Sequence, residues 1–211
     1  MKALIITGGE CRDTVSIPAY DFCIAADSGF DTAVRLGVFP HIILGDFDSV
    51  SEKPSGYTDP ATGEMSRIIT HPSQKNETDT MLAASYAVEK GATELCIIGG
   101  LGGRADHTMS NVFLLEKLYC DGVRAVLTDG ESELRVIGEG DRAVIPFGEY
   151  RYFSTLALDE AELSVTGCAY PLCHSILTRA EAYAVSNEPL QGGAVVECHR
   201  GLLLLIRSER A

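Results

Sequence analysis

Along the first two thirds of the chain, short uninterrupted apolar runs alternate with longer stretches in which apolar residues recur every three or four positions. Uninterrupted runs mark strands covered on both faces and the longer period marks helices, so the alternation predicts parallel strands joined by crossover helices. The predicted strands are Ala3–Thr7, Phe22–Ala26, Ile42–Leu44, Arg67–Thr70, Glu94–Ile98 and Ala125–Thr128. After the fourth, TDTMLAASYAVEKGA reads as a helix capped by Thr78 and stopped by Gly91, with Met81, Leu82, Ser85, Tyr86 and Val88 expected to face inward. A second helix, DHTMSNVFLLEKLYCDG, starts after Asp106 and ends at Gly122. The stretch Ser49–Ser66, punctuated by Pro54, Gly56, Pro60 and Gly63, is predicted as a surface excursion.

Past Gly140 the helical period gives way to short β-prone runs: RAVIPF, YRYFSTLAL, AELSVTG, AYAVSN, AVVECH and GLLLLIR. They predict a small antiparallel sandwich or barrel. The expected division is a first domain at 1–138 and a second at 139–211, with GEGD around Glu139–Asp141 as the joining turn.

Composition narrows the class. With 211 residues, 45% hydrophobic and 22% charged, the chain is long enough to bury a core without staples. No apolar run approaches the roughly 18 residues that span a bilayer, so no membrane partner is expected. MKALIITGGE lacks the length and cleavage site of a signal peptide and reads as a first core strand. The seven cysteines are scattered with no C-x-x-C pair, several inside apolar runs, which points to reduced thiols and a cytoplasmic protein. A net charge of −13 argues against a nucleic-acid partner, and a polyanionic ligand would have to arrive with metal ions.

Open parallel sheets bind ligands beyond the carboxyl ends of their strands. Here the residues just after successive predicted strands are TGGE, then ADSG with Asp27, then GDFDS with Asp46 and Asp48, then GGLGGRADH with Arg104, Asp106 and His107. Asp46 and Asp48 are two apart, so in extended backbone both point to one side and Phe47 to the other. Such a pair suits a hard cation, since Mg²⁺ takes one or two carboxylates and leaves its other positions to water and phosphate. The competing reading is that each aspartate caps a turn or helix, which holds with most force for Asp27 and for Asp79 at a helix start. GGLGGRADH supplies backbone that can approach a phosphate and a guanidinium that can pair with it, although it is neither a Walker loop nor a dinucleotide fingerprint. His107 also reads as a structural histidine, and Lys75, four residues before Asp79, also reads as a solvated loop charge. Carboxylates, metal, Arg and Lys together describe phosphoryl chemistry.

ADSG, LGDFDS, KNETDTMLA, GGLGGRADHTMSN, AVSN and GLLLLI occur in this order through nearly the whole chain, and the set resembles the thiamine pyrophosphokinase family, bacterial type. The resemblance implies an α/β fold with a Rossmann-like, mostly parallel N-terminal sheet that binds ATP and a C-terminal antiparallel β-sandwich that binds thiamine, working as a homodimer with active sites between subunits. The implied reaction moves the pyrophosphoryl group of ATP to the thiamine hydroxyl, releasing AMP. By resemblance, Asp46, Asp48 and Asp79 hold Mg²⁺; Asp27, Ser28, Lys75, Gly102, Gly103, Arg104 and His107 serve ATP; Asp106 and Arg104 serve transfer; and Ser186, Asn187 and Asp106 serve thiamine. Two departures stand out. Asn76 replaces an aspartate common in the family, and the chain has no tryptophan, which eukaryotic members set against the vitamin, so another residue such as Tyr183 has to stack there. An aspartyl-nucleophile phosphatase is the rival enzyme class, although its D-x-D pair normally follows the first strand. A non-catalytic nucleotide or vitamin sensor is the remaining alternative.

Overall fold

A computed structural model describes residues 1–46, 56–70, 77–181 and 183–210. The chain divides into two compact units, Met1–Gly130 and Glu131–Ala211. The first contains β1 (Lys2–Ile6), β2 (Phe22–Ala26), α1 (Gly29–Arg35), β3 (Ile42–Gly45), β4 (Arg67–Thr70), α2 (Asp79–Glu89), β5 (Glu94–Ile98), α3 (Ala105–Cys120) and β6 (Arg124–Thr128). The strands pair in the order β4-β3-β2-β1-β5-β6. Every pairing among them is parallel.

The unbroken apolar runs are strands because both faces are covered: Leu4, Ile5 and Ile6 of β1 and Ile24 and Ala25 of β2 are all fully buried. On one face Leu4, Ile6, Cys23 and Ala25 pack with Ala33 of α1 and Val38. α2 is capped as expected, the Thr78 hydroxyl accepting from the Met81 amide at 3.2 Å. Its inward face differs from the expected one. The buried side chains are Thr80, Ala83, Ala84 and Ala87, whereas Ser85 is exposed and Met81, Leu82, Tyr86 and Val88 are half-buried. Small alanines let the helix axis approach the sheet closely, and the larger apolar residues then fill the rim of that contact.

The second unit holds β7 (Glu133–Gly138), β8 (Arg142–Ile145), β9 (Tyr150–Ala157), β10 (Glu160–Thr166), β11 (Leu172–Thr178), β12 (Ala194–Arg200) and β13 (Leu202–Arg210). β13 lies between β7 and β9, antiparallel to both. The remaining strands form an antiparallel sheet in the order β11-β10-β12-β8. One apolar cluster takes Ile137, Phe153, Leu203 and Leu205 from the first set and Ile145, Leu163, Val165, Leu177 and Val196 from the second. The second unit begins at Glu131, and its first strand, β7, pairs with β13.

AYAVSN is not a strand: among its described residues only Asn187 makes an isolated bridge, to Phe153. The strand in this region is β11, earlier in the chain, which alternates poorly because it is an edge strand with a register shift against β10. A second shift interrupts β10 against β12. Beside these irregularities the rings of His174 and His199 stack with centroids 4.2 Å apart, and the Ser164 hydroxyl oxygen lies 2.7 Å from His199 Nε2.

All seven cysteines are free; Cys23, Cys168 and Cys198 are buried, and burial raises the Cys23 thiol pKa well above its ordinary value. Among the described residues, no helix is long and apolar enough to cross a membrane.

The packing yields a contrast in stability. Leu205 is fully buried in β13, whereas Ile176 on edge strand β11 is 51% exposed. Leu205→Ala is expected to cost about 2–5 kcal/mol and Ile176→Ala about 0.5 kcal/mol or less, measured by urea unfolding.

Candidate active site at the strand carboxyl ends

The strand order fixes where a ligand site can form. From β1 the chain builds outward to β4, then returns to lay β5 on the other side of β1 and continues to β6. The loops after β1 and β5 therefore leave in opposite directions, and the gap between them is the switch-point crevice of an open α/β sheet. Thr7 sits at its base, its amide and hydroxyl both donating to the Ile98 carbonyl, at 2.9 and 3.1 Å.

A cleft of about 460 Å³ opens there. It is lined by Thr7, Gly8, Gly9 and Glu10 after β1, by Asp27 and Ser28 after β2, and by Thr78, Asp79 and Thr80 at the start of α2. Gly99, Gly100, Gly102 and Gly103 after β5, Arg104 at the N-cap of α3, and His107 and Asn111 of α3 also line it. Backbone forms much of the wall because side chains do not fit: a Cβ on Gly8 would lie 1.8 Å from the Ser28 hydroxyl, and one on Gly9 would lie 1.9 Å from the Gly99 carbonyl. Asp27 takes a left-handed conformation, φ 50°, where β2 ends. Aspartate tolerates that region better than most residues, and such strain concentrates at functional turns.

Arg104 and Asp106 form a two-point pair, Nε to Oδ1 at 3.1 Å and Nη2 to Oδ2 at 2.6 Å. Asp106 Oδ1 also accepts from the His107 amide at 3.0 Å. The hydrogen bond from Arg104 is the main reason the Asp106 carboxyl is held below the usual aspartate range, and the same bond raises the guanidinium. A carboxylate held in this way is a weaker base, so it suits orienting Arg104 better than taking a proton. One helical turn separates His107 from Asn111, and the Asn111 amide donates to the Gly100 carbonyl at 2.8 Å, fixing the glycine loop to α3.

Of the residues singled out in the sequence, Asp27, Ser28, Asp79, Gly102, Gly103, Arg104 and His107 meet around this cleft. Asp46 follows β3 and Asp106 follows Arg104, and neither is among the residues lining the cleft. Asp48, Lys75 and Asn76 lie outside the described residues. Among the described residues, no group of three or more His, Cys, Asp or Glu comes together as a metal cluster. Glu10, Thr80 and Asn111 line the cleft without having been assigned to it. Asn111 carried a readable signal, since it lies four residues after His107 on one helix and so shares its face.

Ser186 and Asn187 lie in the second unit and line a different pocket, of about 440 Å³, with Phe153, Thr155, Tyr170 and Tyr183 among its other walls.

A parallel sheet whose polar, glycine-walled cleft opens at the switch point defines an open α/β ligand-binding domain. The thiamin pyrophosphokinase catalytic-domain profile matches residues 16–127. Thiamine pyrophosphokinase from Bacillus subtilis (strain 168) is 30% identical over 215 aligned residues, covering 99% of each chain. The crystal structure of thiamine pyrophosphokinase from Bacillus subtilis superposes with a TM-score of 0.85 at 26% identity, covering 100% of both chains. That of thiamin pyrophosphokinase from Geobacillus thermodenitrificans gives 0.81 at 26% identity, covering 100% of this chain and 99% of that one. The chain belongs to the thiamin pyrophosphokinase family.

Two measurements test this geometry. Gly9→Ala places a methyl against the Gly99 carbonyl, so the loops must separate. An overpacking cost of about 1–3 kcal/mol is expected, seen as a melting temperature lowered by several degrees. Because the folded pKa of Asp106 is depressed, its ion pair is complete above the ordinary aspartate value of about 3.9 and is lost only as pH falls through the lower folded value. A carbon-detected NMR titration of Asp106 is expected to give a midpoint below about 3.9, returning to the ordinary range in Arg104→Gln.

Proposed function

We propose that this protein transfers the pyrophosphoryl group of ATP to the hydroxyl of thiamine, giving thiamine diphosphate and AMP. The observation that carries the proposal is the switch-point cleft walled by glycine backbone and by Asp27, Asp79 and Arg104, in a chain of this family. In the reaction the hydroxyl oxygen bonds to the β-phosphorus, the bond from that phosphorus to the α-phosphate oxygen breaks, AMP leaves, and the hydroxyl proton passes to solvent. Such transfers need positioning and charge neutralisation more than covalent chemistry from the protein.

The Rossmann-like first unit takes ATP. Glycine backbone lets the phosphates approach, Ser28 and His107 offer hydrogen-bonding groups, and Arg104, steadied by Asp106, presents its remaining N–H groups to phosphate oxygens. Lys75, by family resemblance, adds a cation for the phosphates. The acidic residues fit a hard divalent cation, because all the assigned donors are carboxylate oxygens. Asp46, Asp48 and Asp79 would hold Mg²⁺, whose chemistry is to neutralise the triphosphate. A net charge of −13 makes that partner necessary for binding a polyanion. The second unit, as a β-sandwich, takes thiamine in the pocket carrying Ser186 and Asn187. The resemblance further supports a homodimer, and seven free thiols fit a cytoplasmic location.

With ATP, Mg²⁺ and thiamine, product chromatography is expected to show AMP and thiamine diphosphate in equal amounts. Formation of ADP with thiamine monophosphate, or of inorganic phosphate alone, would reject the reading, and a trapped phospho-aspartate would favour a phosphatase. EDTA is expected to abolish turnover, and Asp79→Asn to lower kcat/KM by roughly 100-fold with the melting temperature little changed.

A further inference from the structure

We propose that Asn111 is a specificity-determining residue that reads the nucleoside of the bound nucleotide: its side-chain oxygen accepts a hydrogen bond from a donor on the base or the ribose, at the floor of the first unit's cleft. The inference deepens the reading of that cleft as the ATP site and rests on it.

The run of α3 defines the floor. β5 and β6 are parallel neighbours, so the helix between them returns from the carboxyl ends of the strands towards their starts. Arg104 stands at the N-cap, at the mouth, and Asn111 follows two helical turns later, about 10 Å along the axis. Asn111 is 5% exposed and yet lines the cleft. A Cβ on Gly100 would lie 3.0 Å from Asn111 Nδ2 and 2.5 Å from Leu127 Cδ1, so bare backbone is what lets the amide come this close. Thr108 ties the same loop to the helix a second time, its hydroxyl donating to the Gly102 carbonyl at 3.2 Å.

Hydrogen-bond accounting gives the amide its direction. Gly100 offers a carbonyl, so Nδ2 and not Oδ1 must face it, and the 2.8 Å bond between them fixes the side chain. Oδ1 then points away from Gly100. Among the described residues it accepts no hydrogen bond, and it is not one of the fully enclosed atoms without a partner, so it meets the open space of the cleft. Polar atoms of buried side chains are seldom left without partners, and an acceptor held in this way calls for a donor from the ligand. The triphosphate has none to give, because its ionised oxygens only accept. The donors of ATP belong to the nucleoside, in the adenine amino group and the ribose hydroxyls. With the phosphates at Arg104, the nucleoside extends towards Asn111, where an oxygen waits for one of those groups.

Calorimetry on the full chain with Mg²⁺ compares ATP with three triphosphates that each lack one donor: inosine triphosphate, where an oxo group replaces the amino group, 2′-deoxy-ATP and 3′-deoxy-ATP. The wild-type protein is expected to bind one of the three about ten-fold more weakly than ATP, and which one it is identifies the donor. In Asn111→Leu that gap is expected to close to within about two-fold, because the side chain no longer has an oxygen to offer. Asn111→Asp keeps an acceptor oxygen and gives up the donor to Gly100, so it is expected to retain the gap at a lowered melting temperature. If Asn111→Leu does not fold, Asn111→Ala takes its place. Equal binding of all four nucleotides by the wild-type protein overturns the proposal, and so does a gap that survives in Asn111→Leu, whatever that variant does to ATP affinity. A gap lost in Asn111→Asp as well as in Asn111→Leu overturns the reading of the nucleoside and leaves Asn111 as a tie for the loop. Because binding is read without turnover, failure of the wild-type protein to make thiamine diphosphate rejects the assigned reaction and leaves this result standing, whereas failure to bind ATP rejects both.

Discussion

Close backbone approach is the constraint on which the first unit depends. The loops after β1, β2 and β5 meet at distances that leave no room for a Cβ: beside Gly8 and Gly9 there is also Gly29, where a methyl would sit 2.1 Å from the Ile6 carbonyl. Glycine here is a steric requirement at contacts between loops that are distant in sequence. The contact sets the cleft's width, exposes amide groups instead of side chains, and brings the start of α1 against the end of β1. The unusual backbone of Asp27 belongs to the same arrangement, since a Cβ on Gly45 would lie 3.1 Å from the Asp27 Cα.

Electrostatics then work on a site whose shape is already fixed. Carboxylates next to one another repel unless a cation intervenes, and the chain supplies cations unevenly. Arg104 is engaged on one edge by Asp106, both of them largely exposed, so the pair contributes orientation and little stability. The second unit makes a different choice, with an uncharged, partly aromatic pocket held by backbone hydrogen bonds. The first unit's cleft carries charged side chains, and the residues lining the second unit's pocket are uncharged.

The parallel strands were legible because burial on both faces leaves an unbroken apolar signature, and the strand-end residues followed from the rule that ligands sit beyond carboxyl ends. What failed to show had physical causes. Alanines 83, 84 and 87 carry the contact of α2 by being small, and a search for large apolar residues passes over them. β11 lies at an edge with a register shift and lacks alternation, whereas AYAVSN is β-prone in composition but is tied to β9 by bridges and side chains. Asp27 follows from the strand-end pattern and Asp79 from the family resemblance, and both line the cleft. The hydrogen bonds of the Asn187 side chain to the backbone of Tyr170 were not legible, because no spacing rule connects the two residues.

The position of β13 has a consequence for how the protein is made. Leu202–Arg210 is the last strand of the second unit and yet pairs on both edges, with β7 and β9. A nascent chain that has emerged only as far as β12 holds β7 and β9 without the strand that joins them, and leaves Ile137 and Phe153 without Leu203 and Leu205 to cover them. On the ribosome this half must wait for β13 to clear the exit tunnel, exposed meanwhile to the chaperones that guard unfinished sheet edges.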